Sequence, residues 1–330
     1  MKHVNVALFV PHLGCPHTCI FCDQRAISGQ SAPITAASIA SACQTAAACP
    51  HEKENSEIAF FGGSFTAVDK ETMDLCLDAA APFLKKDFGG IRVSTRPDAV
   101  NEALLSYLKS RGVTAVELGA QSMDDGVLIK NERGHTAADT ARAVRMVRAA
   151  GLSPGLQMMT GMYGSSPASD RYTAREFIKL RPDTVRIYPT VVLEHTALAA
   201  LYREGAYLPP STEESVELCA DLLRAFTAAG IRVIRLGLHS GGDVENNRIA
   251  GVYHPAFREL CESRIYRQTL EKLLRGLPKG QVTAVVARGH ASKAAGHKGE
   301  NRRYFASLGY RIKITEADDR PAYEPLVTAE

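Results

Sequence analysis

The chain has 330 residues, of which 45% are hydrophobic and 23% are charged, and its formal net charge is +3. This balance excludes an intrinsically disordered chain, and so small a net charge does not by itself indicate a nucleic-acid binder. The length suits an α/β barrel with an appendage.

The first predicted element is a strand at residues 5–10. Asn5 and Pro11 interrupt the apolar stretch around it, which is far shorter than the roughly 20 residues that span a bilayer. We therefore expect a cytoplasmic protein with no membrane anchor or signal peptide. Thiols stay reduced in that compartment, which favours metal binding or redox chemistry for clustered cysteines.

Further short apolar or β-branched runs predict strands at 57–61, 90–94, 114–118, 152–159 and 184–189. Helical segments are predicted between the strands, near 33–49, 69–86, 99–111, 135–150 and 168–180. Asp69 and Thr136 are expected to cap the second and fourth of these helices. Six alternating β and α units indicate an α/β fold with parallel strands and right-handed crossovers, a partial (βα)6 TIM-like barrel.

The pattern changes after residue 190. A long amphipathic helix is predicted near 212–229, followed by a strand at 231–238 and a Gly-rich loop. A helix near 255–275, a strand at 281–287 and a last helix and strand come after the loop. We therefore predict a core barrel over residues 1–240 and a small C-terminal α/β extension over 241–330.

Three cysteines follow the first predicted strand in the stretch GCPHTCIFCDQ, at Cys15, Cys19 and Cys22. An iron–sulfur cube takes four ligands, so three thiolates would leave one iron open to a small chelating molecule. Structural zinc needs a closed set of four ligands, which His12 or His17 would complete. The local pattern alone leaves both interpretations open.

Other chemistry-bearing residues also follow predicted strands, where α/β barrels build their sites. The stretch FFGGSFT places Gly62 and Gly63 after the second strand, either as a plain turn or as backbone that a ligand approaches closely. Arg96 follows the third strand and Gln121 the fourth. Arg96 is also able to pair with Asp98, and Gln121 to satisfy loop backbone.

The spacing Cys15-x3-Cys19-x2-Cys22, with an aromatic residue at Phe21, resembles the signature of the radical S-adenosylmethionine (SAM) enzymes. The resemblance implies that the three cysteines hold a [4Fe-4S] cluster and that SAM chelates its fourth iron. It also implies that one electron, from a donor such as flavodoxin or ferredoxin, cleaves SAM to a 5′-deoxyadenosyl radical. The partial barrel is that family's fold as well.

The same resemblance assigns roles to the strand-end residues. Gly62, Gly63 and Ser64 match the family's Gly-Gly motif, which receives the methionyl amine of SAM. Gln121 and Arg133 resemble the amide and guanidinium that flank SAM in oxygen-independent coproporphyrinogen oxidase. Arg133 is the better candidate for the methionyl carboxylate, since a guanidinium matches a carboxylate well, and Arg96 is a further SAM-binding candidate.

Several later motifs are similar to the radical SAM domain of the catalytic subunit of Elongator, which modifies wobble uridine in tRNA. These motifs are STRPD, VELGAQS, RGHT, AGL…QMMTGMYG and VRIYPTVVLEHTAL, and the similarity runs from about residue 5 to 240. Two departures are expected to matter. The chain has neither the length nor a recognisable acetyl-CoA loop for that subunit's acetyltransferase domain, and Gln157 stands where relatives have a histidine before the Met pair.

The C-terminal part adds a candidate RNA-binding segment at residues 288–303. The segment contains one acidic residue, Glu300, and five basic residues. The basic residues are Arg288, Lys293, Lys298, Arg302 and Arg303. Such a stripe either grips RNA phosphates or is a solvated helix face. Tyr188 and His239 are candidates for the barrel mouth, or else packing residues.

Three hypotheses follow from the sequence. The first is a radical SAM enzyme that modifies RNA, in particular tRNA. The second is a radical SAM enzyme acting on a small molecule such as a tetrapyrrole. The third is a non-catalytic RNA-binding module stabilised by zinc.

Overall fold

The computed structural model describes residues 4–10, 13–16, 18–29, 32–238 and 244–329. In these residues the strands are β1 Asn5–Val10, β2 Glu57–Gly62, β3 Gly90–Thr95, β4 Val113–Gln121, β5 Ser153–Thr160, β6 Thr184–Pro189, β7 Val191–Leu193, β8 Arg232–Leu236, β9 Arg248–Gly251, β10 Gly280–Ala287, β11 Tyr310–Ala317 and β12 Leu326–Ala329. The α-helices are α1 Gln24–Ser28, α2 Ala36–Ala47, α3 Lys70–Ala80, α4 Glu102–Ser110, α5 Asp125–Lys130, α6 Ala137–Ala149, α7 Pro167–Leu180, α8 Ala197–Arg203, α9 Thr212–Ala228, α10 Val244–Asn247, α11 Phe257–Leu274, α12 Ala291–Ala295 and α13 Glu300–Ser307.

The main sheet has seven parallel strands in the order β1-β2-β3-β4-β5-β6-β8. It curls into a half-barrel that is covered by helices, so the predicted partial α/β barrel is confirmed. The six predicted strands are all present, and β8 adds the seventh strand to the edge of the sheet. Asp69 and Thr136 cap α3 and α6, as the sequence predicted.

The inner face of the half-barrel carries charged side chains rather than apolar ones. Glu117 on β4 is 1% exposed and is the centre of this inner polar layer, which consists of Arg92, Glu117, Gln157 and Arg186. Its carboxylate lies 3.3 Å from Nη1 of Arg92 and 2.7 Å from Nε of Arg186, and it accepts a hydrogen bond of 2.8 Å from Nε2 of Gln157. The layer lies across β3, β4, β5 and β6 on this inner face, and every residue of β3 is buried.

The C-terminal part forms a smaller sheet in the order β11-β10-β12, with β11 parallel to β10 and β12 antiparallel to it. Helix α11 packs on α9, where Arg264 pairs with Glu213 and Glu217 at 2.6 Å each. The short strands β7 and β9 pair antiparallel beside the main sheet. No described helix is long and apolar enough to cross a membrane.

Candidate functional site

The three-cysteine loop leaves the carboxyl end of β1. Cys19 is buried, Cys15 and Cys22 are half-buried, and all three are free thiols. The amide of Cys22 donates to the carbonyl of Cys19 at 3.0 Å, which forms a turn around Phe21. The loop is anchored by Ile20, whose carbonyl accepts a hydrogen bond of 2.8 Å from the amide of Leu198 at the start of α8.

The surroundings of Cys15 and Cys22 raise the pKa values of these two thiols, and this sets the cost of forming the thiolates that bind a metal. Burial, followed by the neighbouring thiols, raises the pKa of Cys22 to about 12. Burial also raises the pKa of Cys15, while Arg96 and Arg133 lower it. Ligation of a metal requires thiolates, so binding must release these protons, and the nearby guanidinium groups favour the negative form.

The Gly-Gly turn after β2 is in direct backbone contact with this loop. The amide of Gly63 donates to the carbonyl of Val10 at 3.0 Å, and that of Ser64 to the carbonyl of Leu13 at 2.9 Å. A Cβ at Gly63 would overlap the Leu13 carbonyl oxygen, and one at Gly62 would lie 2.7 Å from the Val10 carbonyl oxygen. The two glycines are therefore required by the close approach of the two loops, whatever else binds there.

Ser64 and Arg96 are held by protein partners at the ends of β2 and β3. The hydroxyl of Ser64 lies 2.7 Å from that of Thr95 and accepts a weak hydrogen bond of 3.3 Å from the amide of Arg96. The guanidinium of Arg96 forms a bidentate pair with Asp98, at 2.9 and 2.8 Å. This is the pairing that the sequence offered as the alternative, and a SAM-binding role for Arg96 stays a prediction.

Arg133 reaches back from the loop after α5 to the three-cysteine loop. Its Nη1 donates to Sγ of Cys19 at 3.0 Å and its Nη2 to the carbonyl of Gly119 at 2.6 Å. The side chain is buried, and no carboxylate among the described residues forms an ion pair with it. A buried cation without a counter-charge is costly, so an anion bound beside Arg133 would be stabilised.

Gln121 closes the same region from the end of β4. It lies in the left-handed region at φ 64°, a conformation that L-residues adopt rarely and that often marks functional sites. A Cβ at Gly119 would be 3.2 Å from Nε2 of Gln121 and 3.6 Å from Nη2 of Arg133, so the two side chains meet over this glycine. Oε1 of Gln121 and Nε of Arg133 are buried without a hydrogen-bond partner among the described residues.

His135 is a site residue that the sequence reasoning did not single out, although it lies in the RGHT motif. Its Nε2 is 3.2 Å from the carbonyl oxygen of Ala120, and Nδ1 is buried without a described partner. Burial, followed by the charge of Arg133, lowers the pKa of His135 to about 4. The signal available in the sequence was its position two residues after Arg133.

The other candidates fall into two groups. Tyr188 is half-buried near Arg186, and burial raises its pKa. His12, His17 and His239 lie outside the described residues. Within the described part of the chain, no three His, Cys, Asp or Glu side chains are grouped closely enough to hold a single metal ion.

A curled parallel sheet with a three-thiol loop at the carboxyl end of its first strand defines a class of α/β proteins that builds a cofactor site at the strand ends. Comparison with protein families assigns the chain within this class. Residues 9–177 match the Radical SAM superfamily and residues 182–267 match the Radical SAM C-terminal domain. The chain therefore belongs to the radical SAM superfamily of enzymes.

Curated relatives are similar over part of their length. A tRNA uridine(34) acetyltransferase from Dehalococcoides mccartyi is 30% identical over 70% of this chain and 58% of the relative. The protein of that name from Methanocaldococcus jannaschii is 32% identical over 51% of this chain and 35% of its own. The chain thus spans about a third to somewhat over half of these relatives, as expected from the resemblance to the radical SAM domain of the Elongator subunit.

A solved structure confirms the fold. The archaeal Elp3 from Methanocaldococcus infernus, with an N-terminal deletion, superposes with a TM-score of 0.61 at 23% identity. The match covers 81% of this chain and 64% of that one. At this identity the likeness concerns the fold alone.

The family implies a [4Fe-4S] cluster and SAM, and the residues present fit both. Three thiols are the donor set that a cube with one open iron needs. A buried guanidinium without a described carboxylate, and a buried amide oxygen without a described donor, supply unmet polar groups beside those thiols.

Proposed function

We propose that this chain is a radical SAM enzyme that modifies tRNA, with one [4Fe-4S] cluster held by Cys15, Cys19 and Cys22. The observation that carries the proposal is the contact of Arg133 with Cys19, beside the Gly-Gly turn, at the carboxyl ends of the strands. When bound, the cluster and SAM supply one-electron cleavage of a sulfonium bond and, through it, hydrogen-atom abstraction. An electron donor such as flavodoxin or ferredoxin completes the system.

In this proposal the protein binds, orients and shields. Arg133 holds the methionyl carboxylate, since its guanidinium is buried and has no described carboxylate partner. Gly62 and Gly63 leave the backbone open to the methionyl amine. Gln121 offers its amide to the ribose, and Ser64 and Arg96 complete the binding site from the ends of the second and third strands.

Support for a tRNA substrate comes from the relatives named as tRNA uridine(34) acetyltransferases. The chain forms two separate larger sheets, one in the barrel and one in the C-terminal extension. In this proposal the barrel of residues 1–240 performs the chemistry and the extension of residues 241–330 contacts the RNA. We propose this division as the domain organisation of the chain.

Mass spectrometry of tRNA nucleosides tests the substrate. Purified tRNA from cells with and without the protein is digested and compared, and the Cys15→Ala/Cys19→Ala/Cys22→Ala variant serves as the control. We expect one nucleoside that is present with the wild type and absent both from the deletion strain and from the variant strain. Identical nucleoside profiles in all three strains would remove tRNA as substrate.

The small-molecule alternative is tested by the same preparation. If an added tetrapyrrole increases the 5′-deoxyadenosine that the purified wild type forms from SAM, while tRNA nucleosides stay unchanged, the small-molecule substrate is supported. Formation of 5′-deoxyadenosine that increases when unmodified tRNA is added supports the RNA substrate instead.

A further inference from the structure

In the basic segment 288–303, which the sequence predicted for RNA binding, some of the basic side chains form ion pairs within the fold and others do not. Arg288 forms a bidentate ion pair with Asp318, with one N–O distance of 2.7 Å. Lys293 lies 3.3 Å from the buried carboxylate of Glu262. The charges of these two residues are already compensated within the fold, so they are poor candidates for phosphate contacts.

Uncompensated cations collect instead beside the edge strand of the small sheet. Arg302 on α13 and Arg311 and Lys313 on β11 are exposed, and none forms an ion pair with a described residue. They line a groove of about 340 Å³ between α13 and β11, which Gln281 and Tyr310 also line. At the same end, Nζ of Lys279 lies 4.0 Å from the centre of the Tyr310 ring.

The arrangement fits an extended polyanion. Arg311 and Lys313 are two residues apart, so they point to the same side of β11, about 7 Å apart along the strand. Arg302 on α13 lines the same groove. Residues 298–313 hold five Lys and Arg residues against one Glu, an excess of four charges, while the whole chain has a net charge of only +3.

We propose that the groove between α13 and β11 binds the phosphate backbone of the RNA substrate, through Arg302, Arg311 and Lys313. This inference rests on the proposed tRNA function and specifies its contact surface. The open, cationic shape favours backbone contacts without base readout, so binding is expected to be independent of sequence and strongly dependent on salt.

Binding of an unmodified tRNA transcript to the reconstituted full chain tests the groove. The groove variant is Arg302→Ala/Arg311→Ala/Lys313→Ala. We expect about tenfold weaker binding at moderate salt and a salt slope reduced by about 2 to 3, since three phosphate contacts are lost. The charge-preserving variant Arg302→Lys/Arg311→Lys/Lys313→Arg is expected to bind like the wild type.

The matched control removes three exposed cations that form no ion pair with described residues elsewhere: Lys53→Ala/Lys86→Ala/Arg232→Ala. It is expected to change neither affinity nor salt slope. If the groove variant binds tRNA as tightly as the wild type does, or if the control is weakened equally, the groove assignment is wrong and the proposed function stands. If the wild type itself binds no tRNA, the tRNA function fails and the groove assignment with it.

Discussion

Arg133 is the residue on which the candidate site depends most, because its buried guanidinium has a thiol and a carbonyl as partners. A cation in this setting is stabilised by an anionic ligand, which the carboxylate of SAM provides in the proposal. The contact with Cys19 also ties the SAM-binding side chain to the cluster loop.

We expect Arg133→Ala to weaken SAM binding about tenfold or more, which corresponds to about 1.5–3 kcal/mol for a charge-assisted hydrogen bond. Isothermal titration of the reconstituted protein measures this, and iron content is expected to stay unchanged. The matched control is Arg148→Ala, which removes an exposed guanidinium that also donates to carbonyl oxygens. Equal affinities for the wild type and Arg133→Ala would exclude Arg133 from the site.

His135 gives the site a pH-dependent contribution to stability. Its pKa is about 4 in the folded chain, below its ordinary value of 6.5, because the ring is buried and Arg133 lies near it. The unfolded chain therefore binds more protons than the folded chain between these values, so stability is lost as the pH falls from 6.5 to about 4. We expect His135→Gln to reduce this pH-dependent decrease in the free energy of unfolding by up to about 3 kcal/mol.

Urea unfolding of the wild type and His135→Gln, at about pH 7.5 and about pH 4.5, measures the effect. The difference in unfolding free energy between the two pH values is the relevant quantity, since the substitution also changes stability at each pH. An equal difference for both proteins would show that His135 is not held neutral by its surroundings.

Part of the candidate site could be predicted from the residues alone. The three cysteines and the Gly-Gly pair were identified because they follow strands whose positions the apolar pattern gives. Arg133 lies in the loop after α5 and was assigned only through the resemblance to the radical SAM enzymes. The partners of Arg96 and Ser64 could not be chosen, since the sequence does not say which of two suitable neighbours lies nearer. His135 was missed because burial, which sets its pKa, is a property of the packed structure.

At the scale of elements, the turn after β2 and the three-cysteine loop act as one unit. We expect Gly63→Ala to lower the free energy of unfolding by about 1–3 kcal/mol, because its Cβ would overlap the backbone of Leu13. The displaced loop should also bind less iron on reconstitution. Gly126→Ala is the control, since its added methyl group meets only the Asp124 carboxylate, at 3.2 Å.

Thermal unfolding and iron analysis of both variants test whether the close backbone packing requires glycine at residue 63. If Gly63→Ala and Gly126→Ala have the same stability and iron content as the wild type, the loop tolerates the methyl group. The close packing of the two backbones would then not be what requires glycine at residue 63.

The inner polar layer joins four strands of the half-barrel. We expect Glu117→Ala to destabilise the protein by about 3–5 kcal/mol, because it leaves Arg92 and Arg186 buried with less counter-charge. Glu213→Ala is the surface control. It removes one of two carboxylates from Arg264 at a side chain that is 75% exposed, so we expect less than about 1 kcal/mol.

Both values are obtained from the midpoint and slope of urea unfolding at neutral pH. A loss below about 1 kcal/mol for Glu117→Ala as well would mean that the layer is hydrated and relaxes readily. It would then not contribute to holding the strands together.

Long elements could be predicted well, whereas several short ones could not. The strands of the main sheet and the long helices carry enough apolar periodicity to be recognised; these helices are α2, α3, α6, α7, α9 and α11. Strands β7, β9 and β12 have three or four residues each, and their pairing depends on neighbours far away in the chain. The segment read as a Gly-rich loop contains the short helix Val244–Asn247, and residues 239–243 lie outside the described chain.

At the scale of the whole molecule, the barrel and the small sheet are joined through α9 and α11. Tyr323, next to β12, belongs to the main hydrophobic core, so the extension is packed against the barrel rather than loosely tethered. In the proposed function this packing places an RNA-binding groove and a radical-generating site in one packed body. In this proposal the three-cysteine loop holds the cluster that makes that site reactive.

The most direct test is the formation of 5′-deoxyadenosine from SAM by anaerobically reconstituted protein with dithionite as reductant. We expect the wild type to contain roughly four iron and four sulfide per chain, as one cube requires, and to form 5′-deoxyadenosine. Cys15→Ala/Cys19→Ala/Cys22→Ala should have neither. A wild type that binds iron and sulfide in this ratio and never cleaves SAM, or a triple variant that keeps both the cluster and the cleavage, would contradict the account.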